Sequence, residues 1–517
     1  MIFAVGVLGA CGPAGASREG TAAAESDPVR SRAVAEAAGT ITEEDFAYRV
    51  GVIAHDSMGG RDTPSAGLEA TASWIASEFE RFGLRGGAED GGFVQRYPLR
   101  SKTVDVASSY VSAGSVTLAY GVDVAPLGAD ADSFEGTAEV VVLSGSTGSV
   151  RALGDDLAGR HVVVLGNRAS SGRATMQLAV AASSARPASV WVASRVDDAT
   201  WDAGVKRAFG SSVSKGWGDP GLERSPSPPM LGVRARALDR LLDELGVDVG
   251  PLRAREAEAV RIDAAPGGQA TLRHMVRSEA LAAPNVVGVL DGGDPRLADE
   301  FVVFSAHMDH LGTGTADANG DSIFNGADDD ASGTAAVMEI AEAMAALTTA
   351  PGRSTVFLLV SGEEGGLWGS EWYADHPSAP IEQFVADFNA DMVGRNWGDT
   401  IVAIGREHSD LGVTLDRVVE AHPELGMMAV DDLWPGERFY FRSDHFNFAR
   451  RGVPVLFFFN GTHDDYHGLD DEADRIDAEK GARVARLLYY LGLEVADAHE
   501  RPSWNPESYA EVVTTGR

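Results

Sequence analysis

Apolar positions recur along this chain with two different periods, and the changes of period divide it. In TPSAGLEATASWIASEFERFGL, Leu68, Trp74, Ile75, Phe79 and Phe82 fall at near-helical spacing, and Gly83 follows where a helix would stop. The spacing predicts one amphipathic helix. Between about Val104 and Ile262 the character shifts to short β-rich runs such as TAEVVVLSG and RHVVVLGN, closed by one helical pattern, RARALDRLLDELG. From Asn285 onward, runs rich in Val and Phe (NVVGVL, FVVFSAH, STVFLLVSGEE, VPVLFFFNG) alternate with helical patterns such as ASGTAAVMEIAEAMAAL and KGARVARLLYYLGL. Alternation of this kind predicts an α/β fold with a mainly parallel central sheet and helices on both faces. The expected divisions are a leader and flexible tether over 1–39, an N-terminal part of the main domain over 40–103, an inserted β-rich module over 104–262, the rest of the main domain over 263–500, and a tail over 501–517.

Composition narrows the function classes. At 517 residues the chain is long enough for two or three domains. Its 43 Lys and Arg against 77 Asp and Glu, a net charge of −34, argue against phosphate backbones as partners, so no nucleic acid is expected. The single cysteine, Cys11, excludes an intramolecular disulfide framework and a zinc site built from thiolates. It closes the stretch MIFAVGVLGACG, in which Leu8-Gly9-Ala10-Cys11 resembles the lipobox of an exported bacterial lipoprotein. That resemblance implies export, with the protein either secreted or periplasmic, or anchored at the cell envelope through acylated Cys11. No later run approaches the ~18 apolar residues of a membrane span, so membrane contact would come only through that anchor.

In a parallel sheet, ligands sit where strands end and loops begin. After FVVFSA comes His307-Met308-Asp309-His310; STVFLLVSG ends in Glu363-Glu364; FVADFNA ends in Asp391; and VPVLFFFNG runs into THDDYHG, which carries His463, Tyr466 and His467. Between the first two lies GADDDASG, three consecutive aspartates closed in by small residues. Adjacent carboxylates repel, so a fold that keeps Asp328, Asp329 and Asp330 together needs open water or a cation. Imidazole and carboxylate ligands without sulfur suit a divalent ion such as zinc. Three ligand carboxylates, two neutral imidazoles and one hydroxide carry four negative charges, which two Zn²⁺ ions neutralise. Of two neighbouring glutamates, one can coordinate while the other takes a proton from water.

Taken together, AHMDHLG, NGADDDASG, SGEEGGLWGS, FNADMVG and DDYHG resemble the five motif blocks of the di-zinc exopeptidases of metallopeptidase family twenty-eight, which includes aminopeptidase Y, secreted bacterial aminopeptidases and glutamate carboxypeptidase. The resemblance implies the zinc exopeptidase fold, two Zn²⁺ per chain and peptide substrates, with aminopeptidase action. It implies His307 and Asp391 on one zinc, Glu364 and His467 on the other, and Asp329 bridging them. Asp309 would hold the His307 imidazole, Glu363 would be the general base, and Tyr466 would help polarise the carbonyl. The family has a cis bond after the bridging aspartate. The inserted region resembles a protease-associated domain.

Other readings stay beside these. Asp328 to Asp330 standing alone would read as a solvated acidic turn, and Glu363-Glu364 as carboxylates favoured at a helix N-terminus. His310 and His463 read as surface groups or partners of the ligands, and Asp444 and His445, in RSDHFNF, as polar residues near a pocket. DANGD, Asp317 to Asp321, has its glycine at the fourth position, against an EF-hand loop. The same core also serves carboxypeptidases of acidic dipeptides, receptors that have lost their ligands, and single-zinc glutaminyl cyclases. Here every ligand and the base are present.

Overall fold

The structure, a computed structural model, describes residues 28–128, 131–144, 154–165, 172–218, 228–254 and 261–514. Its centre is a ten-stranded sheet. Four strands in the middle, Val455–Phe458, Phe384–Ala390, Phe301–His307 and Ser354–Val360, are neighbours in that order and mutually parallel. Outside them the sheet turns antiparallel: Val276–Leu290 pairs with the 354–360 strand and with Val94–Val104, and Thr400–Ile404 with the 455–458 strand. The expected mainly parallel sheet is therefore mixed, with a parallel centre. The long flanking pair at 94–104 and 276–290 lies beside the chain's excursion into a second sheet, and a hairpin-like pairing there needs no crossover helix.

Alternation along the central strands assigns their two faces. Val302, Phe304 and Ala306 join Phe357, Leu359, Phe388 and Phe458 in one buried cluster with the helices Glu43–Ile53, Ala66–Phe82, Gly333–Ala345 and Ala478–Asp497. Val303, Val356, Leu358, Val455 and Phe457 face the opposite side, against Trp368–Asp375 and His445–Ala449. The helix read from Leu68, Ile75 and Phe79 spans Ala66–Phe82; the Ser65 side chain accepts from Leu68 N, and Gly83, at φ 82°, ends it in the left-handed region.

Residues expected to form a β-rich module carry an eight-stranded sheet, but with helices as well. Phe134–Ser144, His161–Leu165, Ser189–Ser194 and Met230–Arg234 are parallel, and the helices Gly172–Ser183 and Asp198–Ala208 lie between them in sequence. Those helices are rich in Ala and polar residues, which hid their period among Val-rich strands. The sheet also takes in Arg261–His274, so it runs past residue 262, and Ser212–Lys215 leaves it to pair with the 94–104 strand of the central sheet.

The expected tether is helical at Pro28–Ala38, where Ala37 and Ala38 are buried and the Tyr489 hydroxyl donates to Val34 O at 3.2 Å. The lipobox around Cys11 lies outside the described residues. The expected tail packs too: Trp504 Nε1 donates to Gly452 O at 2.8 Å, and Val512 is buried. Among the described residues no helix is long and apolar enough to cross a membrane.

Close packing of the 478–497 helix on the central strands depends on Gly492, where an added Cβ would lie 2.1 Å from Phe304 Cζ. Gly492→Ala overpacks this contact and should cost about 1–3 kcal/mol, read as a lower denaturant midpoint at unchanged slope.

Candidate active site

Because the four central strands are parallel, their carboxyl ends lie on one edge, and each delivers a side chain there. The 301–307 strand ends in His307, which pairs with Val360 at the end of its neighbour; Glu363 and Glu364 follow three and four residues after Val360. Asp391 follows the 384–390 strand, and the loop carrying His463, Tyr466 and His467 follows the 455–458 strand.

The three aspartates are buried, and the structure separates their tasks. Asp328 Oδ1 accepts from Gly394 N at 2.7 Å and from the Ser332 hydroxyl at 3.1 Å. Asp330 accepts from the backbone N of Gly333, Met392 and His307 at 2.8, 3.1 and 3.2 Å. These outer carboxylates thus pin two strand ends and the start of the 333–345 helix through backbone donors. Asp471 in turn accepts from the backbone N of Asp328 and Asp329. Asp329, in the middle, faces three imidazoles: Oδ1 is 3.2 Å from His307 Nε2, and Oδ2 is 3.1 Å from His467 Nε2 and 3.7 Å from His310 Nδ1. The Asp329–Asp330 peptide bond is cis.

Two groups of ligand atoms flank Asp329. On one side His307 Nε2 is 3.8 Å from Asp391 Oδ1, whose Oδ2 accepts from the Ser443 hydroxyl at 2.9 Å. On the other, Glu364 Oε2 is 3.4 Å from His467 Nε2 and Oε1 is 2.9 Å from His310 Nδ1. His310 is thus no surface group: it is fully buried between Asp329 and Glu364. The His463 side chain is also largely covered, with Nε2 3.3 Å from Asp328 Oδ2. Potential ligand atoms of His307, Asp330 and Asp391, and of His310, Asp329 and Glu364, lie within 4.8 Å of one another. Asp330 is already engaged by three N–H donors, so Asp329 and Asp391 are the open carboxylates. Both ring nitrogens of His310 and Oε1 of Glu364 are buried without a hydrogen bond. Orphaned buried groups of this kind are costly, and a sulfur-free set of imidazole and carboxylate donors fits a divalent cation.

Asp309 Oδ1 lies 3.6 Å from His307 Nδ1 and accepts from Glu363 N at 3.3 Å, while Oδ2 accepts from the Thr63 hydroxyl at 2.9 Å. It therefore touches both the first imidazole and the backbone of the glutamate pair. Burial pushes Glu363 well above the usual carboxylate range; Asp444, Asp391 and Glu364 add to this, and His307 only partly offsets it. For Glu364 burial acts the same way, but His310 and His467 outweigh it and hold the carboxyl down to about 2. Burial works against charge on His467, yet Asp329 and Glu364 raise it to about 10. Burial and the surrounding carboxylates keep the Tyr466 hydroxyl protonated beyond its ordinary range. Glu363, Asp391 and Tyr466 line a cleft of about 50 Å³ walled by Phe439, Phe457 and Phe459, with half-exposed Arg442 also lining it.

Several supports carried no signal in the sequence. Arg61 is fully buried and donates to the carbonyls of Met308, Ile53, Asn325 and Gly326 at 2.8, 3.0, 2.6 and 2.9 Å, tying together the loops that bear His310 and the aspartate turn. Burial lowers its guanidinium to about 10, with Asp309 and Asp329 opposing. Nothing in GGRD distinguishes this arginine from a surface one. His463 Nδ1 accepts from Asp465 N at 3.2 Å, which assigns the proton to Nε2, facing Asp328. Beneath Asp391, buried Asp387 accepts from the Ser305 hydroxyl at 2.8 Å through Oδ1, while Oδ2 has no hydrogen bond.

Residues 285–492 match the family model described as Peptidase family M28. The chain is 29% identical over 260 residues to a probable zinc metalloprotease of Pyricularia oryzae, covering 41% of this chain and 50% of that protein. It is 35% identical over 116 residues to another from Leptosphaeria maculans, covering 22% and 25%. The chain spans half or less of the length of these curated relatives. Among solved structures it resembles the aminopeptidase from Aneurinibacillus sp. strain AM-1, at 19% identity and TM-score 0.51, covering 92% of this chain and 98% of that one; the two share a fold.

Two outcomes follow for the supports. Arg61→Leu leaves four buried carbonyls without their donor and should destabilise the protein by about 3–5 kcal/mol, with a lower melting temperature. Asp387 is pushed by burial from 3.8 to about 8, so between those values the folded state holds a proton that the unfolded chain releases. Its contribution is complete below the lower value and is lost as pH rises through the upper one. Asp387→Asn should therefore gain stability relative to the parent as pH rises across that window in urea titrations; a constant difference would contradict the assignment.

Proposed function

We propose, from the match of residues 285–492 to the model of peptidase family M28, that the protein is a zinc-dependent exopeptidase acting as an aminopeptidase. The observation that carries this reading is the convergence of His307, Asp329, Asp391 and His467 beside Glu363 in one aromatic-walled cleft, with Glu364 3.4 Å from His467. The zinc metalloprotease description of the curated relatives supports the choice of metal. His307 and Asp391 would hold one zinc, Glu364 and His467 a second, and Asp329 both. When bound, the ions would polarise a peptide carbonyl and make water acidic enough to attack at neutral pH.

The protein's own groups do the rest. Glu363, whose raised pKa suits a proton carrier, takes the proton of the attacking water and passes it to the leaving amine nitrogen. The Tyr466 hydroxyl donates to the carbonyl oxygen as that oxygen gains charge. Asp309 holds the His307 ring through its backbone carbonyl, 3.2 Å from Nδ1, with its carboxylate alongside, and Asp328 and Asp330 hold the loops. The phenyl walls of the cleft favour an apolar terminal side chain.

Arg442 in the cleft is the observation favouring a second reading, a carboxypeptidase, since a guanidinium can take a terminal carboxylate. The region with the second sheet is assigned as a protease-associated-type insert, and export with acylation at Cys11 completes the proposal; mass spectrometry of a membrane fraction would detect the acyl group.

Release of amino acids from free and N-acetylated peptides, with zinc measured in the same samples, tests the reaction. Free peptides should be cleaved and acetylated ones spared. Glu363→Ala should keep its zinc and lose at least about a hundredfold in rate, while Asp329→Ala should lose metal. Cleavage of acetylated peptides from the carboxyl end would favour the carboxypeptidase, and a Glu363→Ala variant retaining more than a few per cent activity would remove the glutamate from its role.

A further inference from the structure

A row of aromatic rings leads from the cleft to the surface. Inside the cleft Phe457 stacks on Phe459 at 5.2 Å between ring centres, and Phe459 meets Phe439 at 4.9 Å. Both Phe439 and Phe459 then contact Trp434, each at 5.9 Å, and Trp434 stacks on Trp397 at 6.3 Å with ring planes 23° apart. Trp397 remains 44% exposed, and Leu433 beside Trp434 in sequence is 49% exposed.

The loops hold this row in place. Gly461 has φ 79°, and a Cβ there would lie 2.4 Å from Trp434 Cη2, so the missing side chain lets the indole rest on the backbone of the loop that carries Thr462 into the cleft. The Asn396 side chain donates to Asn460 O at 2.6 Å, tying the segment before Trp397 to the same loop. A single exposed indole is ordinary on a protein surface. Here the exposed indole ends a continuous run of ring contacts that starts in the cleft.

We infer that Trp397 and Trp434 form an outer subsite that takes an apolar or aromatic side chain of a peptide substrate, several residues beyond the one held in the cleft. This rests on the peptide-substrate reading above. An extended peptide advances about 3.3 Å per residue, so two ring-to-ring steps of 5.9 and 6.3 Å correspond to roughly the third to fifth residue of the substrate. A rigid indole offers area at low entropic cost, and its face accepts offset or edge-on rings. The protein would thus prefer peptides to short amides when their early sequence is aromatic.

Calorimetry on the zinc-loaded full chain carrying Glu363→Gln separates binding from turnover. Leu-Ser-Phe-Phe-Ser should bind about tenfold more tightly than Leu-Ser-Ser-Ser-Ser. Trp397→Ala in that background should collapse the ratio toward one, and Trp397→Phe should keep most of it; because the readout is a ratio, a general loss of folded protein cancels. Equal binding of the two peptides, or a preference that survives Trp397→Ala, would overturn the subsite. A preference in binding without turnover by the parent chain would support the subsite and sink the peptidase reading; turnover without preference would do the reverse.

Discussion

Three consecutive buried carboxylates are the constraint on which the rest of this site depends. Left alone in a low-dielectric interior, Asp328, Asp329 and Asp330 would repel one another and forfeit their hydration. The fold resolves this by giving each a different partner. Asp328 and Asp330 accept from backbone N–H groups after two neighbouring strands and at the start of a helix, so they anchor the loops there. Asp329 is left to face imidazoles from three directions. A turn that looks electrostatically unfavourable in isolation is what brings strand ends, histidines and glutamates to common positions.

That solution requires the sheet beneath it. Only parallel neighbours present their carboxyl ends on one edge, and the four strands that carry His307, the glutamate pair, Asp391 and the His467 loop form one contiguous parallel block. The antiparallel flanks contribute none of the proposed ligands. Buried Arg61 adds a fixed cation on the far side of the aspartate turn, spending its donors on four carbonyls instead of on a carboxylate. Its charge is felt by Asp309 and Asp329 without entering the cleft. The site combines rigid strand ends with loops locked by buried polar groups, as precise positioning of reactive groups demands.

Much of this was legible along the chain because both strand ends and motif blocks are local signals. Phe301 to His307 reads as a run of apolar residues ending in a polar one, and the structure keeps that order. The helix at Ala66–Phe82 was legible from its period and from Gly83. Supports that act across long sequence distances were not: Arg61 bonds to carbonyls 247 to 265 residues away, and no pattern within GGRD encodes them. For His310 the sequence left two readings, a surface group or a partner of the ligands, and only packing separates them by burying it against Glu364. Helices between Gly172 and Ala208 were hidden by alanine, which marks neither face strongly. The helix at Pro28–Ala38 was hidden for the same reason, and it is held by distant contacts such as Tyr489 to Val34.

The central claim is that the aspartate turn exists to gather two cations about Asp329. The most direct measurement is anomalous scattering at the zinc absorption edge from crystals of the zinc-loaded protein. The account predicts two peaks, one among His307, Asp329 and Asp391 and the other among Asp329, Glu364 and His467. A single peak, or peaks away from Asp329, would contradict it.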